Sequence, residues 1–104
     1  LPLEFLVRKQ TMETARTYGL GDRGVLAPGY KADINIVDFD ALGLTRPELV
    51  YDLPAGGKRL IQRATGCRHT FVSGVEVARD GDHTGALPGA LVRGAQPAPA
   101  RRAA

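Results

Sequence analysis

Tryptophan is absent from this chain of 104 residues, cysteine occurs once, and the aromatic complement beyond histidine is three Phe and three Tyr. The lone Cys67 excludes a disulfide within the chain and fits a reducing, cytoplasmic compartment. So few aromatics, with no basic residues interleaved among them, leave no stacking platform, and no nucleic-acid partner is expected. Surplus positive charge is scarce as well: 14 Lys and Arg stand against 11 acids, and Arg101 and Arg102 of that surplus sit in a Pro/Ala tail. No apolar run approaches the roughly 20 residues that span a bilayer, so no membrane partner is expected either. The chain opens at Leu1-Pro2 with no initiator and enters a helical pattern almost at once, which is expected of a fragment. At this length it forms one domain at most and buries a smaller share of its surface than a domain of ordinary size.

What is present begins with helical spacing. Leu3, Leu6, Val7 and Gln10 recur at the helical period with Glu4, Arg8 and Lys9 between them, predicting a short amphipathic helix opened by Pro2. Thr11 is expected to close it and to cap a second helical piece, Met12 to Tyr18, by accepting from free backbone N–H groups. Gly19 then supplies the left-handed residue at the C-terminal end, and Leu20 is placed for the apolar contact that accompanies such a cap.

From Val25 the punctuation changes to turns and β-prone runs. Pro28-Gly29 predicts a type II turn, and Ala32 to Phe39 the strongest strand, with Ile34 and Ile36 on one face and Val37 and Phe39 on the other. Its distal half is expected to be covered on both sides. A loop from Asp40 to about Pro47 precedes a weaker run, Leu49 to Leu53, stopped by Pro54 and Gly56-Gly57. Arg68 to Arg79 predicts a hairpin about Ser73-Gly74, with Thr70, Val72, Val75 and Val77 on one face. The stretch from Asp80-Gly81 through His83-Thr84-Gly85 to Leu87-Pro88-Gly89 is expected to be a loop, and 95–104 a disordered tail with too little apolar content to order itself.

The segment from Tyr18 to Asp40, YGLGDRGVLAPGYKADINIVDFD, carries the pattern G-L-x-D-R-G-x-L-x-P-G-x-x-A-D-I. It resembles the junction between the catalytic barrel and the β-sandwich in the amidohydrolase superfamily. Thr11-x-x-x-Ala15 with Gly19-Leu20 is similar to the T-x-x-P-A…G-L ending of that barrel, with Thr14 where proline is usual. Val72 to Val77 followed by Asp80 to Gly89 looks like the V-N-G-x-x-V…D-G-x-x-T-G-x-x-P-G ending of its D-aminoacylase branch, the N-acyl-D-amino-acid deacylases. Ser73 replaces asparagine there, and Ala90 stands where arginine often follows Pro-Gly. The earlier G-x-L-x-P-G-x-x-A-D segment is shared across dihydropyrimidinases, deaminases and imidazolonepropionases.

The resemblance implies a parent enzyme whose barrel binds one or two divalent metals, usually zinc, through an H-x-H pair, later histidines and an aspartate. This chain has no H-x-H, and His69 and His83 are far apart in sequence without acids at metal spacing. No catalytic, cofactor-binding or metal-ligating residue is therefore assigned within it. Cys67 reads as a half-buried small apolar residue, since no histidine and acid accompany it as they would a nucleophile. His69 alternates with Cys67 and Phe71 and reads as a sheet-surface or packed imidazole; His83 reads as turn-stabilising or solvated, in a loop that could approach a barrel mouth. Asp33, the acid of the A-D-I motif, is expected to fix entry into the sheet by accepting from N–H groups of the preceding turn or from Arg23. Asp22-Arg23-Gly24 reads as a turn with an ion pair. Gly56-Gly57-Lys58 lacks the spacing of a phosphate cradle and reads as a loop.

The expected architecture is mainly β with short N-terminal helices: 1–20 the end of a barrel, 21–94 part of the composite β-sandwich that accompanies an amidohydrolase (β/α)8 barrel, and 95–104 the tail. The expected partners are the remainder of the parent chain and, for the parent, a small N-acyl amino acid, with a homo-oligomer left open. Two alternatives stand beside this reading: a free-standing β interaction module, and the tail of another branch such as a dihydropyrimidinase-like enzyme.

Overall fold

The computed structural model describes residues 1–100. Helix α1 (Leu3–Arg8) runs without a break through a π-helical turn (Lys9–Glu13) into α2 (Thr14–Thr17), so the two expected pieces are one segment. Thr11 caps nothing: its hydroxyl donates back to the Val7 carbonyl at 2.7 Å, as Thr14 does to Lys9 and Thr17 to Glu13. A threonine inside a helix satisfies its hydroxyl on the preceding turn, and the unbroken chain leaves no orphan N–H groups for it to cap. Arg8 and Lys9 both pair with Glu13 across the widened turn, at 3.1 and 2.8 Å. The far end is as expected. Gly19 has φ 71°, its N–H donates to Arg16 and that of Leu20 to Ala15, the paired bonds of a Schellman cap.

At Pro28-Gly29 the Tyr30 N–H donates to the Ala27 carbonyl and Gly29 has φ 89°, which makes the predicted type II turn. Strand β1 (Ile34–Val37) follows, shorter than expected because Phe39–Ala41 closes into a 3-10 turn. Instead of an unbroken loop, β2 (Gly43–Leu44) pairs with the later β5 (Ala64–Thr65). Between them β3 (Glu48–Leu53) and β4 (Gly57–Ile61) form a separate hairpin, so Gly57 and Lys58 open a strand and only Gly56 keeps the turn character read for that loop.

Strands β6 (Cys67–Val72), β7 (Val75–Arg79) and β8 (Asp82–His83) join β1 in one antiparallel sheet of order β1-β6-β7-β8. The β6–β7 hairpin turns at Ser73-Gly74 as predicted, with φ of 50° and 77°, the type I′ geometry whose twist suits a two-residue hairpin. The predicted β-branched face takes in one residue more than expected. Phe71 faces Glu76 but Thr70 faces Ala78, so Val77 is the extra residue of a bulge and Ala78 is added beside it. The glycine-rich segment after Asp80 begins as strand β8 before becoming irregular.

The chain is thus mainly β with a helical N-terminus, and it has almost no core. Among the described residues only Ala15 is buried, while Ile36, Val37 and Phe39 are 48%, 43% and 63% exposed, so the distal half of β1 lacks the cover expected for it. The total accessible surface is 8550 Å², against roughly 5,700 Å² for a self-contained folded chain of this mass. The radius of gyration, 16.8 Å, also exceeds the roughly 13 Å of a compact domain of this length. Helix and sheet do not pack as layers. Residues 101–104 of the expected tail lie outside the described residues, and its start is bridged in parallel to Leu20 through Gln96.

Candidate functional site

Two polar constellations emerge from the sheet. The first is at its entry. Asp33 Oδ1 accepts from the backbone N–H of Ser73 at 3.0 Å and from the Lys31 ammonium, while the Ala32 carbonyl accepts from Gly74 N–H at 2.9 Å. Both amides of the hairpin turn are therefore held by consecutive residues before β1. The donors differ from those expected: Ser73 lies across the sheet, and Arg23 instead forks onto Asp22 at 2.9 and 3.3 Å. Partial burial pushes the Asp33 pKa up, but the bonds from Lys31 and Ser73 outweigh it and hold the carboxyl below its ordinary value.

The second constellation lies where β6 and β7 meet. Phe71 lies opposite Glu76 in the plain hairpin register, and the bulge beyond it sets His69 opposite Arg79, which brings Glu76 between the imidazole and the guanidinium. Glu76 Oε1 lies 2.6 Å from His69 Nδ1 and Oε2 lies 2.6 Å from Arg79 Nη2. Arg79 above all, then His69, lowers the Glu76 pKa to about 2. The carboxylate is an acceptor at any ordinary pH, so Nδ1 donates to it and Glu76 has no proton to give a substrate. The His69 ring also stacks on Phe71, with centroids 6.2 Å apart. His69 is accordingly a packed, laced imidazole. Glu76 is the residue that sequence reasoning missed: its diagonal place across the hairpin from His69 was readable, but its pairing with Arg79 depends on the bulge, which brings residues three apart in a strand onto one face.

His83 is exposed at the end of β8 opposite Ala78, so it lies on a strand end where a loop was expected. It borders an open hollow of about 660 Å³ with Glu76, Arg79, Asp80, Asp82 and Thr84. Cys67 is exposed, not half-buried, because β1 ends beside it without a covering layer. The structure does not bring Cys67, His69 and His83 together into a ligand set: among the described residues no three of His, Cys, Asp and Glu gather closely enough to hold a metal ion. The residues present do not fit a divalent metal. No helix among them is long and apolar enough to cross a membrane.

The profile of a family described as Amidohydrolase family matches residues 1–78. A 5-methylthioadenosine/S-adenosylhomocysteine deaminase from Desulfitobacterium hafniense is 52% identical over 40 residues, which cover 38% of this chain and 9% of that protein. An adenine deaminase from Sinorhizobium fredii is 38% identical over 55 residues, covering 53% and 9%, and one from Lysinibacillus sphaericus 59% identical over 32 residues, covering 31% and 6%. The chain thus spans less than a tenth of the length of these relatives. No solved structure matches it. The family profile takes in the helical segment, the Pro28-Gly29 turn, the Asp33 clamp and the hairpin through Ala78, and by that match the chain belongs to the amidohydrolase family.

Proposed function

We propose that this chain is the C-terminal β portion of a metal-dependent amidohydrolase that hydrolyses C–N bonds, and that the parent is an N-acyl-D-amino-acid deacylase. The branch rests on one observation, the run Asp80-Gly81-Asp82-His83-Thr84-Gly85-Ala86-Leu87-Pro88-Gly89 directly after the hairpin. Its front half is ordered: Thr84 donates its N–H to the Val77 carbonyl and its hydroxyl to that of Glu76, at 3.0 and 2.6 Å. The divalent metal of such enzymes would polarise the scissile group and its water. Water would add to the acyl carbon, the C–N bond would break, and the amine would leave with a proton. This chain contributes support to that reaction, through the Asp33 clamp and the Glu76 lacing, and no step of it.

A deaminase parent is the second reading, favoured by the deaminases among the relatives. Matched D and L N-acetyl amino acids, adenine and 5-methylthioadenosine, offered to the full-length parent before and after chelation, separate the two. Release of free amino acid from the D series alone, lost on chelation and restored by zinc, is the expected result. Ammonia from a purine substrate with no deacylation would establish the deaminase, and activity that survives complete metal removal would reject both.

A further inference from the structure

We infer that residues 95–99 are a strap that ties the sheet back to the end of the helix and fixes the angle between them. The chain leaves the sheet at β8, crosses the irregular stretch 84–94 and returns to the helix terminus. There the Gln96 N–H donates to the Gly19 carbonyl at 2.9 Å, and the Gln96 carbonyl accepts from the Gly21 N–H at 2.8 Å. These bonds make Leu20 and Gln96 a parallel bridge outside every strand.

The side chains beneath the strap are absent in a way that admits it. A Cβ on Gly21 would stand 2.9 Å from both the Gln96 oxygen and the Ala98 nitrogen, which are backbone atoms unable to move aside. A Cβ on Gly29 would stand 3.1 Å from that of Pro99, and one on Gly19 3.4 Å from that of Ala95. Three glycines thus underlie Ala95, the Gln96–Ala98 backbone and Pro99. Proline in the strap reduces the entropy lost when it is laid down. Low apolar content denies this segment a core, but backbone pairing over glycine requires none.

Its consequence follows from the lack of helix–sheet packing. The helical segment connects to the sheet through the 18–33 loop, held by the Lys31 N–H to Asp22 carbonyl bond, and through this strap. One connection leaves a hinge, and two make a fixed angle. If the helix is the last of a catalytic barrel, as the proposed function has it, the strap sets how barrel and sandwich sit on each other.

The test uses the full-length parent, truncated after Gly94 in one variant and carrying Gln96→Pro in another, which removes the single N–H donated to Gly19 without shortening the chain. Amide exchange at Gly21 and the distance distribution between spin labels at Arg16 and Asp82 are read in each. Truncation is expected to speed Gly21 exchange roughly tenfold or more and to broaden the distances, with Gln96→Pro giving a smaller change of the same kind. Unchanged Gly21 protection and an unchanged distribution in both variants would overturn the strap. Should truncation unfold the protein, Gln96→Pro alone decides. Neither readout depends on which substrate the parent cleaves, so a failed branch assignment leaves this result standing.

Discussion

The Asp33 carboxylate and the Ser73 amide, 40 residues apart in sequence, are joined by a 3.0 Å hydrogen bond that fastens the entry of β1 to the tip of the β6–β7 hairpin. A charged acceptor on a turn amide is stronger than a neutral pair, and removing it leaves that donor without its partner. Asp33→Ala should lower stability by about 1–2 kcal/mol, reduced from the upper range because the site is partly exposed. Asp33→Asn should lose less, because it keeps an acceptor. Thermal melts beside steady-state rates of the parent check this: unchanged melting with turnover lowered by orders of magnitude would place Asp33 in the chemistry.

The same hairpin tip offers a gain. Ser73 sits at φ 50°, a left-handed conformation that asparagine tolerates better than serine in a type I′ turn. Ser73→Asn keeps the N–H that Asp33 accepts and should raise stability by about 0.5 kcal/mol. A fall in the melting temperature would show that the serine side chain makes a contribution the turn geometry does not account for.

Acid should weaken the sheet in a defined window. The Glu76 pKa is about 2 when folded against an ordinary 4.5, so the unfolded chain binds the proton more readily. Its contribution is complete above the ordinary value and is lost as pH falls through the folded one. Glu13, Asp22, Asp33, Asp38 and Asp52 are lowered too and act in the same direction. The melting temperature should therefore decline steadily as pH drops from about 5 to 2, and Glu76→Gln should flatten part of that decline. A slope identical in the variant would remove Glu76 from the account.

Chelation should leave this chain's melting temperature unchanged, since a metal held by the native state alone would stabilise it. One tightly retained zinc per chain, lost on His69→Ala or His83→Ala, would place a metal site here after all.

The exposed surface makes a further prediction. Leu3, Leu6 and Val7 on the helix and Ile36, Val37 and Phe39 on the sheet remain accessible, and open strand edges accompany them. The separate chain should bind an apolar-surface dye and sediment above its monomer mass. A cooperative, dye-negative monomer would favour the free-standing module.

Local chemistry was legible in the sequence wherever a residue's conformation is decided by its immediate neighbours. Gly19 announced the end of the helix, Pro28-Gly29 its turn, and Ser73-Gly74 the hairpin, because each needs a backbone angle that few residues adopt. What could not be read depends on distance or on insertion. The bulge at Val77 shifts the register and sets His69 opposite Arg79, and no alternation of side chains reveals an extra residue in advance. The backbone donor to Asp33, the Ser73 amide, lay across the sheet, beyond any local argument. The alternation read for β1 marked apolar side chains, but Phe39 falls in the 3-10 turn beyond the strand, and pattern reports what a side chain needs and not whether this chain supplies it. Thr11 misled because a threonine's hydroxyl can serve the chain ahead of it or behind it.

The widened turn at Lys9–Glu13 has a geometrical consequence. A π turn accommodates one residue more than the α-helix would use over the same rise, so everything before it is rotated by about 100° relative to everything after. The side of the helix that Leu3, Leu6 and Val7 present is therefore offset from the side on which Ala15 meets Gly24. Deleting any one residue of that turn would wind the helix back into regular register and swing the leucine stripe around the axis. The segment has the form of an insertion absorbed in place, with the ion pairs to Glu13 spanning the gap it opened.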